Sequence, residues 1–362
     1  MMMNNPQNSK ALSELMSKEQ VKKPSFFNQI LPYLITAGIF IYLYFSLDFK
    51  KMFEILKSAN LALFIPAMIG FVIIFGLVDS FTFGQAYSWF NAKLSNYEKI
   101  ECRVAPYVVQ VILAPLAEVL FVLYLLRKKG IKPSHALSSS IWTIINDFAS
   151  VATALSLAVI YNLKTNLVPE IGISWLMVLI IFWIGYFGNI IFWHSPLNPR
   201  LADWIARGEK AGKDQTGWKR LLSRIAGEAV QLLRTFSLAK WYHYLWLYLV
   251  RIGVLIGGLI SNVLALKAVG IEAPVPLLLI AVPIIFYGHF LPINVGGYGG
   301  PQMLAVFFFS IIGNCGSKEE VAAYSFLWST GFLVGRFLLG MVFLRGFWKN
   351  TFPQGFKSSW KS

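Results

Sequence analysis

The sequence predicts an all-α, polytopic integral membrane protein, and three observations support this fold class. Of the 362 residues, 56% are hydrophobic and only 14% are charged, and the mean hydropathy is +0.60. Apolar runs of about 20 residues, the length that crosses a bilayer as a helix, recur along most of the chain. Proline and glycine residues interrupt two of the apolar segments. We therefore expect one membrane domain of about eight apolar segments, two of them broken or re-entrant.

The uninterrupted segments are each long enough to span a bilayer. They cover residues 26–47, 61–83, 134–160, 171–193, 241–266 and 321–344. Residues 84–103, which follow the second of them, mix aromatic and charged side chains. We expect this stretch to lie at the membrane interface without crossing it.

The first broken segment, residues 104–126, carries Pro115 and Glu118 near its middle, in the run APLAE. It either dips into the membrane and returns at Pro115 or crosses completely. The returning topology exports six basic residues, and the crossing topology exports ten. Basic residues are retained in the cytoplasm, so the returning topology is favoured. The lysines that it exports are Lys50, Lys51, Lys57, Lys164, Lys267 and Lys318.

The second broken segment carries the run HFLPINVGGYGGPQ at residues 289–302, between the apolar runs 275–287 and 303–312. Proline lacks a backbone donor and glycine is costly in a helix, so the backbone here is expected to be irregular. In a membrane such backbone is buried in protein or lines a polar cavity. In the favoured topology this break opens to the side opposite the Pro115 break, as in an inverted repeat with its substrate near the midplane. The alternative is a surface loop between two short helices.

The polar parts of the chain complete the domain prediction. Residues 1–25 are expected to form a disordered cytoplasmic tail, and residues 348–362 a second one. Residues 194–240 are expected to form a cytoplasmic loop, in which residues 218–240 make a basic amphipathic helix on the anionic leaflet. The formal charge of +15 lies in such loops, which favours a bacterial cytoplasmic membrane protein over a nucleic-acid binder. Cys102 and Cys315 are expected to be reachable by thiol reagents, from the cytoplasm and from outside respectively.

Two motifs give the chain a family resemblance. LPINVGGYG at residues 291–299, with APLAE at 114–118 and then Arg127, Gly130 and Asp147, resembles the flippase-like transmembrane domain of lysylphosphatidylglycerol synthases and its stand-alone relatives. The resemblance covers residues 26–347. It implies a lipid or lipid-linked substrate that moves between leaflets.

The chain departs from that family pattern at two places. The family tends to carry Gly-Glu shortly after the first proline, and Ala117 stands where this glycine would be. The family also tends to carry Arg-Glu after the glycine motif, where this chain has Pro301-Gln302. The soluble synthase domain has no counterpart here, so we do not extend aminoacyl transfer to this chain.

Ionisable residues inside apolar segments are functional candidates, because burying them in a membrane is costly. They are Glu118, Asp147 and Arg336, with His289 at the edge of the glycine break. We expect Arg336 to bind a phosphate through its planar fork. The alternative is a structural ion pair between Arg336 and Glu118 or Asp147.

The glycine break supplies the remaining candidate binding residues. Gly296, Gly297 and Gly299 are expected to allow positive φ or close approach of a lipid, beside Asn294. For His289 the alternative role is hydrogen-bonded packing.

We found no metal-ligand spacing, no nucleophile elbow and no phosphate loop, so we expect no cofactor, no metal and no catalytic residue. The function that we predict is a flippase or transporter for a lipid or lipid-linked intermediate, whose headgroup we expect to be anionic. The alternative is a non-catalytic membrane subunit in lipid or glycan biosynthesis, acting with a partner enzyme. No nucleic acid is expected as a partner, and the oligomeric state stays open.

Overall fold

The computed structural model describes residues 45, 47–110, 114–169, 172–195, 231–288 and 298–352, and this part of the chain is all-helical. We number the helices in chain order. They are α1 (Phe49–Ser58), α2 (Leu61–Phe90), α3 (Asn96–Val104), α4 (Tyr107–Gln110), α5 (Ala114–Lys129), α6 (Pro133–Thr165), α7 (Ile173–His194), α8 (Trp241–Ala268), α9 (Val275–Gly288), α10 (Gly300–Ala305) and α11 (Lys318–Thr351). A π-helix, Val306–Ile312, continues α10. Residues 231–238 are also helical and precede α8.

Five helices are long and apolar enough to cross a membrane, namely α2, α6, α7, α8 and α11. They confirm the predicted segments at 61–83, 134–160, 171–193, 241–266 and 321–344, each of which overlaps one of these helices. The predicted segment at 26–47 lies, apart from two residues, outside the described part. The expected total of about eight segments therefore stays a prediction.

The prediction that residues 84–103 form one interfacial stretch is wrong in its first third. α2 continues to Phe90, and its last turns are buried at Ala86 and Tyr87. The reason is close packing: a Cβ added at Gly84 would lie 2.4 Å from Cγ of Lys99 on α3. The glycine thus lets the α3 lysine lie directly on the α2 backbone, and the helix continues beneath it.

Helices α3, α4 and α5 form an antiparallel hairpin, which we call the first hairpin. Three contacts set its direction, because residues early in α3 meet residues late in α5. Nζ of Lys129 lies 2.9 Å from Oε1 of Glu98, and Nη1 of Arg103 lies 2.7 Å from Oε1 of Glu118. Between them the Tyr124 hydroxyl donates to Glu101 over 2.6 Å. The start of α3 at Asn96 and the end of α5 at Lys129 therefore lie together at one end of the helix bundle. We call these the outer ends of the hairpin, and we call the region of Gln110 and Ala114 its inner end.

The break in this segment lies ahead of Pro115 and not at it. α3 ends at Val104, α4 covers only Tyr107–Gln110, and Pro115 is the second residue of α5. Proline is well tolerated in the first turn of a helix, where its missing N–H is not needed. Residues 111–113 lie outside the described part.

Helices α9 and α10 with the π-helix form the second hairpin. Leu304 lies against Gly288, and Leu277 lies against Gly313, so the two arms are also antiparallel. Gly299 caps α10 with a φ of +107°, which confirms the positive φ expected there. Its N–H donates to Oε1 of Gln302 over 2.7 Å. Residues 289–297, which hold most of the glycine break, lie outside the described part.

The two hairpins pack against α11, and each approaches the middle of this helix from a different end. At the C-terminal end of α11, Asn350 donates to Glu101 over 2.8 Å, and further in Arg336 donates to Gln110 at the inner end of the first hairpin. On the other side, the hydroxyls of Tyr298 and Thr330 lie 2.8 Å apart. The inner ends of the hairpins therefore meet α11 only six residues apart, at Thr330 and Arg336.

Most of the lysines that the returning topology would export lie at one end of the bundle. Lys51 of α1 lies 3.8 Å from Glu319 of α11, and the Asn60 N–H donates to the Ala268 carbonyl over 2.9 Å. These contacts lie at the end of the bundle that holds Lys50, Lys51, Lys57, Lys267 and Lys318. The outer ends of the first hairpin lie at the opposite end, beside Asn350. Which end is cytoplasmic, and whether the hairpins are re-entrant in a membrane, stay predictions.

The described end of the predicted amphipathic helix is anchored to protein. The Ser138 hydroxyl of α6 donates to the Leu232 carbonyl and accepts from the Thr235 N–H, both over 2.9 Å. Arg234 donates to the Phe90 carbonyl over 3.0 Å and so caps the end of α2. Thr235 and Phe236 are buried. This end of the loop is thus held by α2 and α6, and residues 196–230 lie outside the described part.

Candidate functional site

A chain of alternating charges runs through the middle of the bundle. It consists of Glu118, Arg103, Asp79, Arg251 and Asp147, contributed by α5, α3, α2, α8 and α6. The shortest N–O distances along it are 2.7, 2.7, 3.5 and 2.5 Å. The chain thus links the first hairpin to three of the long apolar helices.

Asp79 is the hub of this chain. One carboxylate oxygen, Oδ2, accepts from Nε of Arg103 over 2.7 Å and from the Tyr107 hydroxyl over 2.8 Å. The other oxygen, Oδ1, lies 3.5 Å from Nη2 of Arg251. A buried carboxylate is stable only when it is paired and hydrogen-bonded, and Asp79 has partners from three helices. It therefore fixes the first hairpin against α2 and α8.

Aromatic rings separate the two guanidinium groups. The Arg103 guanidinium lies 3.8 Å from the centroid of the Phe83 ring, and that of Arg251 lies 5.3 Å from the same ring. Phe121 faces Arg103 at 5.2 Å. Aromatic faces attract cations, most strongly away from water. Phe83 therefore interacts favourably with both guanidinium groups, which lie near each other although they carry like charges.

Exposure is highest at the Glu118 end of the charge chain and low in its other members. The side chain of Glu118 is 42% exposed and that of Arg103 12%, whereas those of Asp79 and Asp147 are 5% and 8% exposed. The site is therefore open at the Glu118 end. A molecule that reaches the site meets Glu118 and Arg103 first.

The family model described as "Lysylphosphatidylglycerol synthase TM region" matches residues 29–340. The chain belongs to this family. No curated protein and no solved structure matches the chain. The family match confirms the resemblance inferred from the two motifs, and with the five apolar helices it identifies a multi-pass membrane protein.

In this member of the lysylphosphatidylglycerol synthase transmembrane family, Arg336 does not pair with Glu118 or Asp147, so the alternative that proposed this pair is wrong. Glu118 pairs with Arg103, and Asp147 pairs with Arg251. Arg336 donates to Gln110 and lies 4.6 Å from the Tyr107 ring centroid. The reason is position: the inner end of the first hairpin lies between Arg336 and the carboxylates. Tyr107, which donates to Asp79, connects Arg336 to the charge chain.

The other predicted binding residues of this family member fall largely outside the described part. His289, Asn294, Gly296 and Gly297 lie there, so their roles stay predictions. Gly299 is described and lies beside Tyr298, whose hydroxyl meets α11 at Thr330. Within the described residues, no group of three His, Cys, Asp or Glu side chains could hold a metal ion.

Three residues of the site were not among the predicted binding residues. Asp79 lies near the end of the predicted segment 61–83, Arg251 lies inside the segment 241–266, and Arg103 ends the stretch 84–103. The available signal was therefore a charged residue inside or at the edge of an apolar run. The missing information was their spacing in three dimensions, since Asp79 and Arg251 are far apart in the sequence.

A second ionic cluster closes the outer end of the first hairpin. Glu98 accepts from the Ser95 N–H over 2.8 Å and lies near Lys128 and Lys129, at 3.4 and 2.9 Å. Burial acts to raise the pKa of Glu98, but the Ser95 hydrogen bond and the two lysines outweigh it and lower the pKa to about 2. Glu98 is therefore ionised over the whole physiological range.

Proposed function

We propose that this protein is a flippase that moves a lipid or lipid-linked intermediate with an anionic headgroup between the leaflets of the bacterial cytoplasmic membrane. The observation that carries the proposal is the charge chain beside the inner ends of two oppositely directed hairpins. Family membership supports a membrane protein of lipid biosynthesis or transport. The transport activity, the membrane and the cytoplasmic position of both termini are parts of the proposal.

Headgroup binding is proposed to occur at Arg103. Its Nη1 is held by Glu118, whose carboxylate is partly exposed, while its Nε is held by the buried Asp79. A phosphodiester can take the place of Glu118, because a guanidinium matches phosphate oxygens as well as carboxylate oxygens. Arg103 would then keep its structural bond to Asp79 and use its free edge for the substrate.

Arg336 is proposed to receive the headgroup next. It lies beside Tyr107, which also contacts Asp79, so the two guanidinium groups flank the same tyrosine. The glycine break is proposed to complete the path, because its Tyr298 and Gln302 contact α11 at Thr330 and Ser329. The lipid tails would stay outside in the bilayer.

Paired packing supports an inverted repeat. The order α2, first hairpin, α6 matches the order α8, second hairpin, α11, with long helices of 30, 33, 28 and 34 residues. The first hairpin packs along α11 of the second half, and the second hairpin meets α6 of the first half through the stacked rings of Tyr287 and Phe148, 5.7 Å apart. Such repeats commonly alternate access around a central site.

A reconstitution assay tests this proposal. Purified protein in phosphatidylcholine vesicles that contain fluorescently labelled phosphatidylglycerol should expose inner-leaflet label to an added quencher faster than empty vesicles do. Arg103→Gln should lose this activity, and the matched surface variant Lys57→Gln should keep it. No acceleration by the wild-type protein, with several anionic lipids, would reject the proposal.

A second candidate function rests on the family description, which names a synthase region. In this alternative the chain is a non-catalytic membrane subunit of a lipid or glycan biosynthetic enzyme. Neither candidate assigns a covalent step to the chain. Crosslinking in native membranes discriminates them, because a subunit should be recovered with one enzyme in fixed proportion, and vesicles with the purified chain alone should not move lipid.

A further inference from the structure

Two carboxylates in the charge chain share a single guanidinium. Arg251 contacts Asp79 through Nη2 and Asp147 through Nε. Asp79 has two further donors, Arg103 and Tyr107. Among the described residues, Arg251 is the one ion-pair partner of Asp147. Their closest atoms, Nε of Arg251 and Oδ1 of Asp147, lie 2.5 Å apart. Asp147 is therefore the less well stabilised of the two buried carboxylates.

The charge balance makes this difference important. The charge chain holds three carboxylates and two guanidinium groups. Arg336, which is connected to it through Tyr107, adds one positive charge and brings the net charge to zero. An anionic headgroup that takes the place of Glu118 at Arg103 adds one negative charge beside the buried Asp79, because Glu118 stays on α5 at the partly exposed end of the site. An uncompensated charge there costs several kcal/mol, so uptake of one proton would offset the added charge.

We propose that Asp147 is a proton-binding residue, and that proton uptake by its carboxylate is coupled to binding of the anionic headgroup. This inference rests on the proposed function. The proton comes from the aqueous phase and binds a carboxylate oxygen of Asp147, and the ion pair with Arg251 is then lost. Arg251 keeps Asp79 as its partner. Release of the lipid returns the proton and restores the pair.

The groups that face Asp147 favour this assignment over the other acids. Arg251 faces it from α8, while Asp79 from α2 and Arg103 from α3 lie within electrostatic reach. Tyr287 of α9 is also within reach, and Tyr186 of α7 donates to the neighbouring Asn146 over 2.7 Å. Glu118 of α5 acts from further away, through Arg103.

Polar side chains line α6 on the N-terminal side of Asp147. Ser139, Ser140, Thr143 and Asn146 precede it and are all buried. The Ser140 hydroxyl lies 2.6 Å from that of Tyr87, and Ser139 accepts from Asn91 over 2.9 Å. Hydroxyl and amide groups can hydrogen-bond water, whereas the rest of an apolar helix cannot. This row of polar side chains extends to Ser138, which contacts the 231–238 helix.

The test measures proton uptake and lipid movement separately. The wild-type protein in phosphatidylcholine vesicles receives labelled phosphatidylglycerol, and a pH dye reports proton uptake while infrared difference spectra report a carboxylic acid band. We expect uptake and the band in the wild type, and loss of both in Asp147→Asn to the level of empty vesicles. Asp147→Glu should restore them. The exposed variant Glu272→Gln serves as the matched control and should behave as wild type.

The outcomes separate this inference from the transport proposal. If the wild type moves labelled lipid without proton uptake, or if the band persists in Asp147→Asn, the proton-binding role is wrong and transport stands. If lipid addition gives an Asp147-dependent band but no lipid moves, the proton site stands and the transport proposal is wrong. If Asp147→Asn does not fold, the wild type and Asp147→Glu still test the inference. Proton uptake without a carboxylic acid band in these two proteins would overturn the assignment to Asp147.

Discussion

Nε of Arg103 lies 2.7 Å from Oδ2 of Asp79, and this contact joins the first hairpin to the ion pair between Asp79 and Arg251. Two guanidinium groups therefore depend on one carboxylate. Removing the carboxylate leaves Arg103 with Glu118 alone and Arg251 with Asp147 alone, which makes Asp79 the residue whose loss should be most damaging to the fold.

The first prediction concerns Asp79→Asn. We expect it to destabilise the protein by about 3 to 5 kcal/mol, because it removes the buried negative charge that two guanidinium groups share. Thermal unfolding in detergent measures this. The control is Asp48→Asn at the exposed N-cap of α1, where either side chain can accept from the Lys51 N–H, and the change should stay below about 0.5 kcal/mol. Equal effects in the two variants would contradict the structure.

The second prediction concerns Arg336 and Glu118, which are not partners. The effects of Arg336→Gln and Glu118→Gln on stability should add, with a coupling energy within about 0.5 kcal/mol. Arg103→Gln and Glu118→Gln, whose wild-type side chains touch, should not add. Double-mutant cycles of thermal unfolding measure both pairs. Rescue of Arg336→Gln by Glu118→Gln would restore the direct ion pair that the structure excludes.

The third prediction concerns topology and uses introduced cysteines in place of the native Cys102 and Cys315. Cys102 is fully buried, and burial raises the pKa of the Cys315 thiol, so both should react slowly. In a chain with Cys315→Ser, we expect Lys93→Cys to be labelled from the cytoplasm and Glu272→Cys from outside. An impermeant maleimide applied to cells and to inverted vesicles distinguishes the sides. Labelling of both positions from one side would contradict the bundle.

The fourth prediction concerns pH. The folded pKa of Glu98, about 2, lies below its ordinary value of 4.5. Its stabilising contribution is therefore complete above pH about 4.5 and is lost as pH falls toward 2. Melting temperatures of the wild type and Glu98→Gln, measured between pH 7 and pH 2.5, should differ most at pH 7 and converge on acidification. A constant difference would show that Glu98 contributes no charge-dependent stability.

The sequence predicted the long helices well because their signal is local. Each of the five helices contains a stretch of at least 18 residues that is apolar on average, and a stretch of that length identifies a candidate span. Boundaries were less accurate where tertiary contacts decide them. α2 extends to Phe90 because α3 covers its end, and the first break lies ahead of Pro115 because a proline suits the first turn of α5.

The site was predicted in part, for a physical reason. Glu118, Asp147 and Arg336 were found because a charge inside an apolar run is conspicuous. Their partners were not found, since an ion pair between Asp79 and Arg251 joins positions that only folding brings together. Ring contacts such as Phe83 with Arg103 have no sequence signature at all, because phenylalanine is common throughout this chain.

Thr330 and Arg336, where the inner ends of the two hairpins contact α11, are six positions apart along this helix. At 1.5 Å per residue they span about 9 Å, against about 30 Å for the hydrocarbon of an unmodified bilayer. The electrostatic work of moving an ion through a medium of low dielectric constant falls steeply as that medium thins. If water reaches the inner end of each hairpin, the barrier to a headgroup is the short interval between Tyr298 and Gln110.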